Sequence, residues 1–532
     1  MEPILSFVIA LALTMASLPL LMRFSSALGH VDEPFGRHGH DAPMPRVGGI
    51  SIVFAVLTAV ALVATVDGQL LTVIGGMAAI ALLGWLDDQY DLRARYELAV
   101  QLLVTGAVVL ALGVPGQLAA IGWVPLLVVI GVLFVVGVTN AVNMVDGLDG
   151  LAAGTLMLSI MMATVVAYEL GQSQVLILTL ALLGGLVGFL RFNNHPAEVF
   201  LGDAGSQFLG FGGAILVLVL LTADPQGISP AAALLLFGLP IVDCLTVILR
   251  RLYRGVSIFQ GDRFHLHHRL IDLGLRDELV VALLYGLHAL ALAVAYVLRW
   301  ESGLVLCLAF LAYWGGVIGL VRMLERRGGA ADRRSPPQRR NALRRRFSWL
   351  HGHGHWAVFA AVLGLIVFAF VQIGLSQTGS YTALAIALTA AVIWWWQRSG
   401  IWAARAVAFG CSAVLAFEWL VEGSGIWSGW LDVGLAGLAL VLFASVLVTR
   451  KVTFRFDAQD WLVLLLLSLL FLVPVSFDSV ALVVRVATFV VFVHYAVEFV
   501  LARSPRSAQA ISGTGVLLLL GTTAGLVIGG VQ

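Results

Sequence analysis

The stretch LILTLALLGGLVGFL, residues Leu176 to Leu190, decides the fold class because it is almost continuously apolar. A second stretch, Ile228 to Leu249, has nearly the same character. Crossing the hydrocarbon core of a bilayer, about 30 Å, takes about 20 apolar residues in a helix. A membrane β-barrel would instead show alternating segments of about ten residues. The sequence therefore predicts membrane-spanning helices.

The composition agrees with this prediction. Of 532 residues, 60% are hydrophobic and 11% are charged, which is far more apolar than a soluble protein of this length. The net charge of +1 gives no general attraction to nucleic acid. The first apolar run, Ile4 to Met22, lacks a basic leader and a small-residue cleavage site, so we expect a retained helix.

Apolar runs divide the chain into an all-α, polytopic arrangement. About eleven transmembrane helices are predicted before Arg322, and about seven more follow a basic segment. We therefore expect three parts: a membrane domain over residues 1–325, a basic linker over 326–354, and a transmembrane extension over 355–532. The extension contains no motif that we can assign to chemistry, so its role stays open.

Positive charge fixes the predicted orientation. The linker carries a dense group of arginines, and such segments stay on the cytoplasmic side: Arg333, Arg334, Arg339, Arg340, Arg344, Arg345 and Arg346. Counting helices outward from this anchor places five polar clusters of the membrane domain on that same side. Acidic groups near membrane depth are costly, so their gathering on one face indicates a functional site.

The first cluster ends a predicted helix in adjacent carboxylates. Asp87 and Asp88 are neighbours, and Asp91 lies one turn further on the face of Asp87. Adjacent like charges attract a cation, and Mg²⁺ is held by one or two carboxylates together with phosphate oxygens. The alternative interpretation is ordinary interfacial charge at the end of a span.

The second cluster places amides and acids on one helical face. Asn140, Asn143 and Asp146 recur every three residues and can point into one cleft. Gly147 and Gly150 follow, and they would let a backbone or a nucleotide approach closely. A helix-breaking loop with capping side chains is the alternative.

Three further clusters complete the predicted site. Asp203 lies between glycines just before a helix that would begin near Ser206, where a helix N-terminus could bind phosphate. The loop Asp262 to Arg269 holds three histidines and two arginines, which suit phosphate or pyrophosphate. The proline-containing loop Asp32 to Gly49 precedes the second helix. It is assigned to the site because it is predicted to lie on the same side of the membrane as the other four clusters. Asp243, inside an apolar run, is expected to pair within the bundle.

Taken together and in this order, the five motifs resemble those of the polyprenyl-phosphate N-acetylhexosamine-1-phosphate transferase family. The resemblance covers roughly residues 1–325. It rests on the following patterns: Asp87-Asp88-x-x-Asp91, Asn140-x-x-Asn143-x-x-Asp146-Gly147-x-Asp149-Gly150, Phe200-x-Gly202-Asp203-x-Gly205-Ser206 and His265-x-His267-His268. Arg37-x-x-His40, Pro45-x-x-Gly48-Gly49 and the His-x-His-His order look more like the branch that transfers GlcNAc 1-phosphate than the phospho-MurNAc-pentapeptide branch, which stays an alternative.

The resemblance implies a reaction and a set of partners. A UDP-N-acetylhexosamine would donate its sugar phosphate to undecaprenyl phosphate and release UMP, with Mg²⁺, or Mn²⁺ in its place, as cofactor. The product would initiate a cell-envelope polysaccharide such as O-antigen. The expected location is the bacterial inner membrane, with the site on the cytoplasmic face, and a homodimer is compatible with this arrangement.

The resemblance also implies roles for the site residues. Asp203 would bind Mg²⁺, and Asp87 or Asp88 would hold the metal or deprotonate the acceptor phosphate. His265 is expected to act in catalysis and to steady phosphates as charge shifts. The remaining predicted residues would bind substrate: Asp32, Arg37, His40, Asn140, Asn143, Asp146, Asp149, Arg263, His267 and His268.

A transporter or flippase is the competing class, because polytopic helices with intramembrane acids also build ion pathways. Transporters place such acids near mid-membrane in broken helices. The acids of this chain instead gather at helix ends on one side, next to glycine-rich loops. The sequence therefore favours the transferase.

Overall fold

A computed structural model describes residues 2–26, 31–32, 43–65, 67–113, 123–223, 228–257 and 264–329. The predicted linker and extension beyond Gly329 lie outside the described residues. The described part contains thirteen helices and one antiparallel pair of two-residue strands, so the all-α prediction is confirmed. The elements are α1 Glu2–Phe24, β1 Val31–Asp32, β2 Met44–Pro45, α2 Gly48–Val63, α3 Gly68–Tyr90, α4 Ala94–Ala111, α5 Val124–Val145, α6 Leu151–Glu169, α7 Ser173–Asn193, α8 Gly202–Ala223, α9 Ala232–Leu236, α10 Gly238–Tyr253, α11 Leu266–Asp272, α12 Asp277–Val297 and α13 Gly303–Gly329.

About eleven spans were predicted before Arg322, and the described residues contain nine helices that are long and apolar enough to cross a membrane. Helix α2 is a shorter apolar helix of 16 residues. The remaining predicted span, Ile228 to Leu249, is broken at Phe237 into α9 and α10. The chain is therefore a multi-pass helical membrane protein.

The break between α9 and α10 has a local cause and local partners. Pro240 lies in the first turn of α10, where its missing N–H is tolerated. In a helix that continued from α9 into α10, the proline ring would clash with the backbone of the preceding turn, so the helix breaks. The Ser159 hydroxyl donates to the Leu236 carbonyl over 2.8 Å, and the Ser159 oxygen lies 2.9 Å from Nε2 of His288. The Leu239 N–H donates to Nδ1 of His288 over 3.5 Å. Side chains from α6 and α12 thus satisfy backbone groups freed by the break.

Helix α8 lies at the centre of the bundle. It packs against α2, α3, α5, α6 and α7, and almost all of its residues are buried. In contrast, α1, α4 and α13 expose large apolar side chains such as Leu20, Leu103 and Leu304. A side chain of this kind is stable in lipid but not in water, so these three helices form part of the outer, lipid-facing layer.

Glycines bring α2 and α3 against the beginning of α8. A Cβ at Gly84 of α3 would lie 2.8 Å from Cα of Ala204, and a Cβ at Gly49 of α2 would overlap the backbone of Gly205. The Gly49 N–H also donates to the Leu201 carbonyl over 2.8 Å. The N-terminus of α8 is therefore fixed by backbone contacts from two neighbouring helices.

Replacing Gly84 by Ala tests this close contact. A new Cβ must displace the backbone of α8, so we expect Gly84→Ala to lower the free energy of unfolding by about 1–3 kcal/mol. Gly75→Ala, in the same helix, is the matched control because nothing lies within 4 Å of its Cβ position. That change should be neutral or stabilising by up to about 1 kcal/mol. Thermal unfolding in detergent measures both, and equal melting temperatures for the two variants would contradict the contact.

Candidate active site

The Asp88 carboxylate binds the N-terminus of α8. Its Oδ1 accepts the N–H of Asp203 and its Oδ2 accepts the N–H of Ala204, each over 3.0 Å. Gly202 precedes these two residues with φ of 71°, and a Cβ there would lie 2.9 Å from Oδ2 of Asp88. A negative charge at a helix N-terminus is favourable, so Asp88 joins the end of α3 to the start of α8.

Asp87 and Asp203 form the centre of an acidic cluster. Oδ1 of Asp87 accepts the N–H of Leu92 over 2.7 Å, which fixes the carboxylate at the end of α3. The Asp87 and Asp203 carboxyl groups are within hydrogen-bonding reach. Asp203 also interacts electrostatically with Asp88 and Glu97. The third acid of the motif, Asp91, is exposed and ends α3 in the left-handed conformation, with φ of 50°.

Asp146 adds a further carboxyl group from the end of α5. Burial raises the pKa of Asp146 to about 7, and the negative charge of Asp88 acts in the same direction. Arg46, which follows β2, opposes this increase, whereas Asp149 adds to it. The three predicted acidic motifs therefore meet in one place, together with an arginine from the loop before α2.

Asn143 and Asn140 have different surroundings although they share a helical face. Oδ1 of Asn143 accepts the Ser206 hydroxyl over 2.9 Å, so it lies beside the first turns of α8. Nδ2 of Asn140 donates to Oε1 of Gln101 over 2.6 Å. Gln101 belongs to a buried network in which Gln207 donates to Glu97 over 2.8 Å. Asn143 thus borders the acidic cluster, and Asn140 belongs to the polar layer beneath it.

Asp149 connects the loop after α5 with the loop before α8. Its Oδ2 lies 2.8 Å from Nδ1 of His195 and accepts the N–H of Ala197 over 3.0 Å. The neighbouring Gly150 donates its N–H to Asn193 over 2.9 Å, and its carbonyl accepts the Tyr285 hydroxyl over 2.6 Å. The loop that carries Asp146 and Asp149 is therefore held by α7, by α12 and by the loop between α7 and α8.

The histidine motif packs against this same loop. His265 and His267 stack with ring centroids 5.6 Å apart, and the rings of His267 and His268 are 4.2 Å apart. His267 is 2% exposed, and its Nε2 has no hydrogen-bond partner in the described part of the chain. A Cβ at Gly147 would lie 2.5 Å from this nitrogen, so the ring rests on the Gly147 backbone. The side chain of His265 is anchored separately, by Asp243 of α10.

Four predicted site residues are not placed by the structure. Arg37, His40 and Arg263 lie outside the described residues, and only the backbone of Asp32 is described. The Asp32 backbone pairs with Met44 in the two-stranded ribbon. Their assignment to substrate binding stays a prediction.

The acidic cluster suits a hard divalent cation that also binds phosphate. Its donors are carboxylate oxygens, the ligand type that Mg²⁺ prefers. Among the described residues, no three His, Cys, Asp or Glu side chains converge as a closed metal site. An open pair such as Asp87 and Asp203 fits Mg²⁺, because this ion usually takes one or two carboxylates and completes its shell with water and substrate phosphates.

Several residues around the site were not identified from the sequence. Asp243 was expected only to pair within the bundle, and it does so, but with the candidate catalytic His265. Its signal was an ionisable residue within an apolar run. Gln101, Gln207 and Asn193 gave no local signal, because most of their partners are 39 to 110 residues away or belong to a later loop.

Burial of His267 predicts a stability that depends on pH. Burial lowers the pKa of His267 to about 3, more than the nearby Asp243 raises it. The unfolded chain binds the proton near pH 6.5, so the folded state loses stability as the pH falls below that value. For one such group the loss is about 1.4 kcal/mol between neutral pH and pH 5.5.

His267→Gln removes this titration. We expect its melting temperature to fall less than that of the wild type between pH 7.5 and pH 5.5, measured in the same detergent. If the melting temperatures of the two proteins fall equally over this pH range, His267 is not held in its neutral form.

Comparison with known proteins identifies the family. Residues 70–221 match the model of glycosyl transferase family 4. A Bacillus subtilis (strain 168) protein named probable undecaprenyl-phosphate N-acetylglucosaminyl 1-phosphate transferase is 35% identical over 293 residues, which are 53% of this chain and 81% of the relative. The undecaprenyl-phosphate alpha-N-acetylglucosaminyl 1-phosphate transferase of Yersinia pestis is 28% identical over 318 residues, 56% of this chain and 87% of the relative. The protein of the same name in Escherichia coli (strain K12) is 27% identical over 311 residues, which are 55% of this chain and 84% of the relative.

The matched family model spans α3 to α8, the helices whose ends carry Asp87, Asp88, Asp146 and Asp203. The sequence resemblance and the convergence of the motifs thus agree with the comparisons. The chain is a membrane-embedded transferase and belongs to glycosyl transferase family 4, in the branch of the undecaprenyl-phosphate N-acetylglucosaminyl 1-phosphate transferases.

Proposed function

We propose that this protein transfers N-acetylglucosamine 1-phosphate from UDP-N-acetylglucosamine to undecaprenyl phosphate and releases UMP. The observation that carries the proposal is the convergence of Asp87, Asp88, Asp146 and Asp203 at one end of an apolar bundle. A water-soluble donor can reach this end, while the acceptor chain stays in lipid. The names of the relatives support the acceptor and the sugar.

Asp87 and Asp203 would hold Mg²⁺ together with the donor diphosphate. When bound, the ion supplies positive charge that stabilises the UMP leaving group. Asp88 has a different task, because both of its oxygens already accept N–H groups of α8. It holds Asp203 in place opposite Asp87.

The reaction breaks the bond between the bridging oxygen and the phosphorus that carries the sugar. That phosphorus forms a new bond to an oxygen of the acceptor phosphate. A carboxylate at Asp87 can take the proton from a protonated acceptor phosphate, and His265 can interact with the same phosphates through Nε2. Positioning of the two phosphates is the main contribution of the chain, as in other phosphoryl transfers.

The loop after α5 would bind the nucleotide and sugar. Asp146 and Asn143 lie beside the acidic cluster, and Arg46 approaches from the opposite loop. Asp149 fixes the position of this loop through its contacts with His195 and Ala197. A uridine or acetamido group offers donors and acceptors that match these carboxyl and amide groups.

We place the site on the cytoplasmic face of the bacterial inner membrane. Arginines cluster at the same end of the bundle: Arg250 lies 3.2 Å above the Phe264 ring, and Arg269 pairs with Glu325 over 2.9 Å. Excess Lys and Arg mark the cytoplasmic side of membrane proteins. The lipid-linked product would then initiate synthesis of a cell-envelope polysaccharide such as O-antigen.

Turnover by the purified protein tests the proposal. It is incubated with undecaprenyl phosphate, Mg²⁺ and a panel of UDP-N-acetylhexosamines that includes UDP-MurNAc-pentapeptide, and both UMP and lipid product are measured. UDP-N-acetylglucosamine should be the best donor. Asp203→Asn should lower the rate about 100-fold or more, because a ligand that stabilises developing charge is lost.

Asp272→Asn is the control for charge, because Asp272 is exposed at the end of α11, and it should keep wild-type activity. If another UDP-sugar is the better donor, the transferred sugar is not N-acetylglucosamine and the assignment changes to the sugar of that donor. Absence of metal-dependent UMP release with every donor would overturn the proposed reaction.

Metal binding can be measured without turnover. Removing Asp203 relieves repulsion among the carboxylates, so Asp203→Asn should melt at a higher temperature than the wild type in EDTA. Adding Mg²⁺ should stabilise the wild type, by about 2.7 kcal/mol at 100 times its Kd, and stabilise the variant much less. Equal shifts in the two proteins would contradict a role of Asp203 as ligand.

A further inference from the structure

Asp243 is the buried residue whose contacts point most directly at the reaction. It lies on α10 with 3% of its surface exposed. Its Oδ2 is 2.7 Å from Nδ1 of His265, and its Oδ1 accepts the N–H of Leu266 over 2.7 Å. Both oxygens are therefore used by one short segment, the beginning of α11.

These two bonds fix the position of the His265 ring. The Leu266 bond places the backbone at the start of α11, and the Nδ1 bond sets the direction of the imidazole. Nε2 then lies on the far side of the ring from Asp243. A ring held at both its backbone and one nitrogen loses little freedom when a substrate arrives, which is the purpose of a preorganised site.

The same bond sets the protonation of the neutral ring. An ionised carboxylate only accepts hydrogen bonds, so the proton of neutral His265 must be on Nδ1. Nε2 is then the free acceptor, and a proton taken there gives an imidazolium beside the Asp243 carboxylate. A buried carboxylate that orients a histidine in this manner is a recurrent device of catalytic and metal sites.

The segment held by Asp243 reaches the nucleotide side of the site. His267 stacks on His265, and its ring rests on Gly147 between Asp146 and Asp149. Asp243 also interacts electrostatically with His267. A displacement of His265 would therefore also displace His267 and the Gly147 loop, which we assign to binding of the donor.

We propose that Asp243 is a positioning residue that holds His265 through Nδ1 and presents Nε2 to the substrate phosphates. The inference rests on the proposed function, because it requires that His265 acts in phosphate transfer. It assigns Asp243 a part in the reaction, whereas the sequence indicated only a pairing within the bundle. Asp243 itself touches no substrate.

A double-mutant cycle tests this indirect role. Asp243→Asn keeps the volume and one acceptor oxygen for Leu266, but the amide can offer His265 only an N–H. We expect kcat to fall about 10- to 100-fold with little change in KM for the UDP-sugar. In the His265→Gln background the same change should cost no further activity, because Asp243 acts only through His265.

The outcomes separate a positioning role from a structural one. If the two losses multiply in the double variant, or if Asp243→Asn keeps full activity, the inference is overturned. Should Asp243→Asn fail to fold, Asp243→Glu retains the carboxylate and gives the same comparison in the two backgrounds. Asp272→Asn is the control for a change of acidic charge near α11, and melting temperatures are recorded for all variants.

The cycle also distinguishes failure of the inference from failure of the proposed function. A wild-type protein without metal-dependent turnover would remove the proposed function itself. An active wild type whose Asp243→Asn and His265→Gln variants are both as active as the wild type would leave the function intact and overturn the role of Asp243.

Discussion

The hydrogen bonds from the first residues of α8 to the Asp88 carboxylate are the constraint on which the site depends. They place a helix N-terminus and a carboxylate against each other near membrane depth, where each would be costly alone. The contact needs glycines on both sides, since Gly84 and Gly202 leave no room for a side chain. Once it forms, Asp87 and Asp203 are brought together although 116 residues separate Asp87 from Asp203 in the chain.

The rest of the bundle maintains this contact. Helix α8 is enclosed by five other helices, so its position is over-determined by packing. The buried side chains of Gln101, Gln207 and Glu97 and the half-buried amide of Asn140 give polar partners to one another beneath the acids. Replacing one member would leave buried groups unsatisfied, which costs about 1–3 kcal/mol each. A site of repelling carboxylates can persist because the layers around it are rigid.

Much of this arrangement could be predicted from the sequence, for physical reasons that differ between residues. Long apolar runs specify membrane helices directly, because lipid accepts no unsatisfied backbone. Asp87, Asp88, Asp146 and Asp203 were predicted to share one site because acids at helix ends on one side of a membrane can meet. The break at Phe237 was not predicted, since its stabilising partners Ser159 and His288 lie on other helices. The same holds for Asp243, whose partner His265 belongs to a later loop.

The fate of the donor's β-phosphorus tests the central claim most directly, because the acidic cluster is interpreted as a device for moving a sugar together with its phosphate. The donor is UDP-N-acetylglucosamine labelled separately in the sugar and in the β-phosphate, with undecaprenyl phosphate and Mg²⁺. The account predicts that both labels enter the lipid phase in equal amounts and that UMP appears in the water phase. Sugar label in the lipid with β-phosphate left in water-soluble UDP would contradict it.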